Sequence, residues 1–331
     1  HRALVTRKRY LHRDVSFYNF FTYPEHRGDT LAEADLIENP PVFINDILGK
    51  TNGNDDNCCA LFIDADNSAL LDPPKGTTLK YIHEELAGRT GTPRYIARAA
   101  AIGAPIDATT DSGIFYPMPE LTGETKETYI DVYGQGMYDA YTDTGTIHRR
   151  ERPDPDHVAP PFSHRPDHDV ESIFWVLVFS IITAKPKDGD DKPTSDFVRA
   201  LEIFQNHTIE KTRLDDPRDF FLSAKHNRWL NILHPGLSSI ARMMRLLAEQ
   251  VRPEYGLLDP PPEPDHLHEA FRRILLEHIL SMEDEIPLTP NISRELPAEK
   301  QVKPLPSKKR KAEDDDDTSK RPNKSVRSMN G

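Results

Sequence analysis

Apolar residues along the chain gather into a few blocks separated by long polar stretches. Residues 170–182 (VESIFWVLVFSII) are apolar nearly all round, which predicts a helix buried in the core. Asp169 stands at its start as the expected N-cap. Residues 195–204 and 236–250 carry apolar side chains at helical spacing; Leu237, Ile240, Met243, Met244 and Leu247 share one face of the second segment. Residues 265–282 predict a further helix, with Leu267, Phe271, Ile274, Leu275, His278 and Ile279 recurring at that period and Asp265 as its cap. Residues 41–48 show a weaker helical pattern. The short run 60–63 reads as a buried strand, and Phe20, Phe21 and Tyr23 as another. Residues 1–11 read as the last turns of a helix.

Between residues 102 and 162 Gly, Pro, Thr and Asp dominate, so a long loop insertion is expected, with 128–133 as its most regular part and a strand candidate. Gly134-Gln135-Gly136 reads as a turn. From Glu283 onward Pro and charge prevail and no periodicity survives, the pattern of a disordered tail. The expected fold class is mainly α with a few short strands: one domain over 1–282, with the insertion at about 102–162, and a charged tail over 283–331.

Composition sharpens this picture in three places. A hydrophobic fraction of 37% with 29 Pro fits a packed core diluted by loops. The net charge of −12 is unevenly spread: residues 302–331 hold nine Lys/Arg against five Asp/Glu, leaving 33 against 49 in the body. An acidic body argues against nucleic acid as a partner. Adjacent Cys58 and Cys59 cannot build a disulfide framework and read as reduced thiols before a buried strand. No apolar run reaches the length of a membrane span, and no signal peptide is evident. The chain starts with His rather than Met, so further sequence is expected upstream.

Candidate chemistry centres on residues 11–19. His12-Arg13-Asp14 is followed by Asn19 five residues after the Asp. A phosphoryl-transfer site needs a carboxylate that accepts a hydroxyl proton and a nearby amide oxygen that holds a metal; Asp14 and Asn19 on a short loop supply both. Asp64, ending the apolar run 60–63, is a second metal-binding acid, though a strand-end turn is the plainer reading of it. Gly91-Thr92-Pro93-Arg94-Tyr95 offers a tight turn and a Thr able to bond Asp14. Asp169 and the helix after it would anchor the loop from below.

In this order and combination the chain resembles the carboxy-terminal lobe of a protein kinase, and more closely the fungal-type protein kinase family. The resembling residues are His12-Arg13-Asp14-Val15-Ser16 with Asn19, Ile63-Asp64-Ala65-Asp66, Arg89-Thr90-Gly91-Thr92-Pro93 and 168–175 (HDVESIFW), spread over about half the chain. The resemblance implies that Asp14 is the catalytic base toward a Ser or Thr of a protein substrate. Asn19 and Asp64 would hold Mg²⁺ on the phosphates of ATP. Arg13 would steady the activation segment, Thr92 would bridge the substrate segment to Asp14, and Asp169 would hold the loop backbone.

Some positions depart from the pattern. Ser16 stands where many Ser/Thr kinases have Lys, as the fungal-type family tends to show. Asp66 replaces a glycine, and Ala97-Arg98-Ala99 replaces Ala-Pro-Glu, so the buried pair that the resemblance implies between that Glu and a distant Arg is expected to be absent. Asp64 and Asp66 together also fit the metal loop of small-molecule kinases of the aminoglycoside or choline type, whereas the Gly-Thr-Pro segment favours a protein substrate. An amino-terminal lobe with a glycine-rich loop would lie before His1, so the chain as given holds half an ATP site, is expected to be inactive alone and to be locally disordered near residues 1–11. A pseudokinase or scaffold that binds protein partners without catalysis is the alternative.

Three further features bear on binding. His164 and His168 are spaced for zinc, but Pro166 between them is expected to break the helix that would align them, leaving solvated or capping histidines. His266 and His268 point to opposite sides of a helix start and predict no metal. Lys308–Lys311 beside an acidic run, with a second basic cluster at Lys320 and Arg321, suits the groove of a nuclear-import receptor and implies a nuclear, otherwise cytoplasmic, protein.

Overall fold

The computed structural model describes residues 1–2, 5–6, 9–24, 47, 58–71, 86–106, 116–142, 149–150, 162–187, 192–209, 216–282 and 286–295. The folded body spans His1–Leu296 and is mainly helical with a few short strands. The expected helix over 41–48, apart from the helical residue 47, and the basic cluster 308–311 lie outside the described residues.

The body is built around helix α4, Pro166–Thr183. Its apolar circumference has no polar face to offer water, so helices close over it on several sides. Val170, Phe174, Trp175, Val178 and Ile182 are buried in one cluster with Phe197, Leu201 and Phe204 of α5 (Ser195–Asn206), Phe221 of α6 (Asp219–Leu222) and Trp229 of α7 (His226–Ile232). Met244 and Leu247 of α8 (Ala241–Val251) and Leu267 and Phe271 of α9 (His266–Ser281) complete it. The rings interlock edge to face, with Phe174–Trp175 centroids 4.9 Å apart and Trp175–Phe221 6.2 Å apart.

The amphipathic faces at 195–204, 236–250 and 265–282 all fold as helices. The second begins with a 3-10 turn, Pro235–Ile240, before α8. Asp265 sits at the N-cap of α9 but makes no capping bond; its carboxylate instead binds Arg2 and the Tyr141 hydroxyl.

Other expectations are corrected. The strand expected at 128–133 is helical: α2 (Gly123–Tyr133) and α3 (Gln135–Ala140) occupy the middle of the presumed loop. Gly134, with φ 85°, separates them, so only the first glycine of the expected turn breaks the chain. Both helices attach to α9. Glu269, fully buried, accepts from Arg2, Arg273 and the Tyr129 hydroxyl, and Arg273 donates to the Tyr138 carbonyl. Asp169 is not the cap of α4. Arg165 takes that position, Pro166 opens the helix rather than breaking it, and Asp169 lies in the first turn.

The tail also begins later than Glu283. The strand Leu288–Ser293 pairs antiparallel with the strand Ala184–Pro186. The buried Arg294 then donates to the Ile182 and Ile232 carbonyls and covers the Phe197 ring at 3.8 Å. At the other end, residues 2, 5 and 6 are helical. Val5 is buried with Leu11, Ala69 and Leu86, and Arg2 pairs with Asp265 and Glu269. The expected disorder near residues 1–11 is therefore corrected for the described residues there, which are packed on the body.

Two small antiparallel ladders position the loop between them. Strand β1 (Tyr10–Leu11) pairs with β4 (Ala69–Leu70), and β2 (Phe20–Pro24) pairs with β3 (Cys58–Phe62), with Phe20 opposite Phe62. The two cysteines thus lie within β3 rather than before it. The segments 12–19 and 63–68 are held side by side where the ladders end.

Candidate active site

The loop after β1 turns sharply at Arg13, whose φ is 66°. A left-handed backbone at a non-glycine residue costs about 1–3 kcal/mol and persists only when its surroundings enforce it. Here the enforcement comes from Asp169. Its Oδ2 accepts the His12 N–H at 2.8 Å and its Oδ1 accepts the Arg13 N–H at 3.0 Å. Asp169 is almost fully buried; burial pushes its pKa up, but the His1 hydrogen bond and charge and the His12 N–H outweigh it, so the pKa lies below the usual range.

The strained turn aims Asp14 toward residues 88–92. Asp14 Oδ1 accepts from the Thr92 backbone N–H at 2.8 Å and from Thr92 Oγ1 at 3.0 Å. Thr90 Oγ1 donates to the Arg13 carbonyl at 3.1 Å, and the Arg13 guanidinium donates to the Gly88 carbonyl at 3.4 Å. Gly91 makes this approach feasible, because at φ 134° an added Cβ would meet Ile96 Cγ1 at 2.9 Å. Asn67 Nδ2 lies 3.3 Å from Asp14 Oδ2. Sequence reading missed Asn67, since nothing in a three-residue offset from Asp64 predicts that it reaches Asp14.

Asn19 closes the loop through a 3-10 turn, Phe17–Asn19, its Nδ2 donating to the Asp14 carbonyl at 2.9 Å. With the amide nitrogen so engaged, the amide oxygen is the atom left for a cation. The Asn19 carbonyl accepts the Ile63 N–H at 3.1 Å, and His12 Nε2 bonds the Ile63 carbonyl at 3.1 Å. Burial is the main cause that lowers the His12 pKa, so it stays a neutral ring. These two bonds set Asp64 next to Asn19. Asp64 itself has a left-handed backbone (φ 63°) and an exposed side chain. The side chains of Asn19 and Asp64 offer hard oxygen donors, an amide oxygen and a carboxylate, the kind that suits Mg²⁺.

The segment after Thr92 is bolted to the core by two buried arginines. Arg98 donates through its backbone N–H and its Nε to Glu171 Oε1, both at 2.9 Å, and its Nη2 reaches the Val251 carbonyl at 3.0 Å. Ala99 stands where that Glu would be, and a different buried pair, Arg98–Glu171, ties this segment to α4 instead. Arg218, fully buried, grips Asp216, donates to the Ile96 carbonyl at 2.7 Å and lies over the Trp175 ring at 4.7 Å.

Asp167, His168 and Glu254 bring three ligand-type atoms within 4.8 Å of one another. The chemistry there does not suit a metal. Arg165 Nη2 already bonds both Asp167, at 2.7 Å, and Glu254. His168 Nδ1 accepts the Arg165 backbone N–H at 3.2 Å, which leaves the proton of the neutral ring on Nε2, the atom a metal would need bare. His168 is therefore a capping histidine as expected, though buried rather than solvated. His164 and His168 stand edge to face at 5.7 Å.

No protein-family model, no curated protein and no solved structure matches this chain.

Proposed function

We propose that the chain is the carboxy-terminal lobe of a Ser/Thr protein kinase of the fungal type, transferring the γ-phosphoryl group of ATP to a protein hydroxyl. The observation that carries this reading is the double bond-donation of Thr92 to Asp14 Oδ1, which ties a tight-turn substrate segment to a partly exposed carboxylate. A substrate Ser or Thr hydroxyl set against that carboxylate loses its proton to Asp14 as its oxygen bonds to the γ-phosphorus. The bond from that phosphorus to the ADP oxygen breaks. Asn19 and Asp64 would hold Mg²⁺, which would neutralise charge on the phosphates. Arg13 keeps the 88–92 segment against the loop. The basic cluster Lys308–Lys311 fits recognition by a nuclear-import receptor, so the reading includes a nuclear protein.

The test is incubation of the full-length protein with Mg²⁺, labelled ATP and a Ser/Thr peptide library. Incorporation on peptide hydroxyls is expected. Tight peptide or protein binding with no incorporation at any Mg-ATP concentration would leave a scaffold as the better account.

A further inference from the structure

His1 and His268, at opposite ends of the body in sequence, meet beneath the candidate catalytic loop. Their ring planes are nearly parallel, 11° apart with centroids at 5.1 Å, and His1 Nδ1 lies 2.8 Å from His268 Nε2, so the rings meet edge to edge. His1 Nε2 lies 3.0 Å from Asp169 Oδ2, the same oxygen that accepts the His12 N–H. A carboxylate only accepts, so the proton of this bond sits on His1 Nε2. His268 Nε2 bonds the other ring nitrogen of His1, Nδ1, and so fixes the orientation of its ring. His268 is held neutral because burial lowers its pKa well below the usual value, with the neighbouring charges of His1, Arg2 and Arg272 adding to the effect. The result is a chain of hydrogen bonds linking His268, His1 and Asp169, ending on the carboxylate that holds the His12 and Arg13 amides.

We propose that His1, oriented by His268, is a positioning residue for this loop: it supplies the third donor to Asp169 and so keeps the strained Arg13 turn, and Asp14 with it, in place. A carboxylate buried this deeply carries a large desolvation cost, and each donor removed weakens its charged form and its hold on the others. The segment carrying His1 is itself fixed, since Arg2 is paired with Asp265 and Glu269 and Val5 is buried. The link to catalysis rests on the reading of Asp14 as base; the link to loop geometry does not.

The experiment measures backbone amide exchange at His12 and Arg13 in the full-length protein, with Phe174 and Val178 of α4 as internal references. In His1→Phe, which keeps the ring but not the donor, exchange at the two loop amides is expected to rise about tenfold or more while the references hold, matching loss of a hydrogen bond to a charged group. His1→Gln, which retains an N–H, is expected to restore most of the protection, and His268→Phe to give a smaller rise. Unchanged exchange in His1→Phe would overturn the proposal. So would an equal rise in Phe and Gln variants, because that would reflect lost packing alone. Phosphoryl transfer is followed in parallel, with kcat expected to fall and KM for ATP to hold. Loop exchange that responds as stated in a protein with no transferase activity would sink the kinase reading and leave this proposal standing.

Discussion

Thr92 donates two hydrogen bonds, from backbone and side chain, to one oxygen of Asp14, 78 residues away in sequence. The backbone bond survives any substitution at Thr92, whereas the hydroxyl bond does not. Thr92→Val, nearly isosteric, is therefore expected to leave folding intact and to lower kcat about tenfold, as for loss of one bond to a charged group. Steady-state kinetics check this; an unchanged kcat would show that Oγ1 does not help orient the base.

Arg98 and Glu171 form a buried pair whose side chains are each only 8% exposed. Removing one partner leaves the other charge buried and unpaired, which typically costs about 3–5 kcal/mol. Glu171→Ala and Arg98→Ala are each expected to destabilise the fold by about that amount. The double variant is expected to cost clearly less than the sum, because the stranded charge is gone. Denaturant unfolding of the four proteins closes the cycle; strict additivity would show that the two residues are not coupled.

His164 gives the stability a sign in pH. Burial, and then the neighbouring His168, lower its pKa from 6.5 to about 3. Between those values the unfolded chain binds a proton that the folded protein refuses, so stability is full above about pH 6.5 and falls as pH drops toward about 3. His164→Phe, placed against Phe162 at 5.1 Å from the native ring, removes that contribution. Unfolding free energy measured from pH 7 to 5 is expected to decline less steeply in the variant; parallel slopes would contradict the assignment.

The basic cluster yields a prediction independent of the fold. Replacing Lys308, Lys309, Arg310 and Lys311 by Ala is expected to move a fluorescently tagged full-length protein from nucleus to cytoplasm. Retention in the nucleus would remove this cluster as the import signal.

Much of the helical body was legible because burial imposes a period. Residues 170–182 have no polar side to expose, and Leu237, Ile240, Met243, Met244 and Leu247 repeat at the pitch of a helix; all five are buried. Residues 123–140 gave no such signal. Tyr129 and Tyr138 are the anchors there, and what holds them is Glu269 and Arg273, over 130 residues away, through bonds that leave no local pattern. The strand at 288–293 was illegible for a similar reason, since its partner is 184–186. In the candidate site, Asp14, Asn19, Asp64 and Thr92 stand out in the sequence because they sit in short segments with a recognisable spacing. Asn67, the Arg98–Glu171 pair and the His1–His268 contact depend on long-range geometry that no local spacing carries.

The central claim is that Asp14 is the base for phosphoryl transfer. The most direct measurement compares the transfer rate of the full-length protein with that of Asp14→Asn under saturating Mg-ATP and peptide, with thermal unfolding confirming that both are folded. The amide keeps the bonds from Thr92 available but cannot take the proton, so the rate is expected to fall by about 10²–10⁴-fold, the usual contribution of a positioned acid or base. A folded Asp14→Asn protein that transfers phosphate at the native rate would contradict the account.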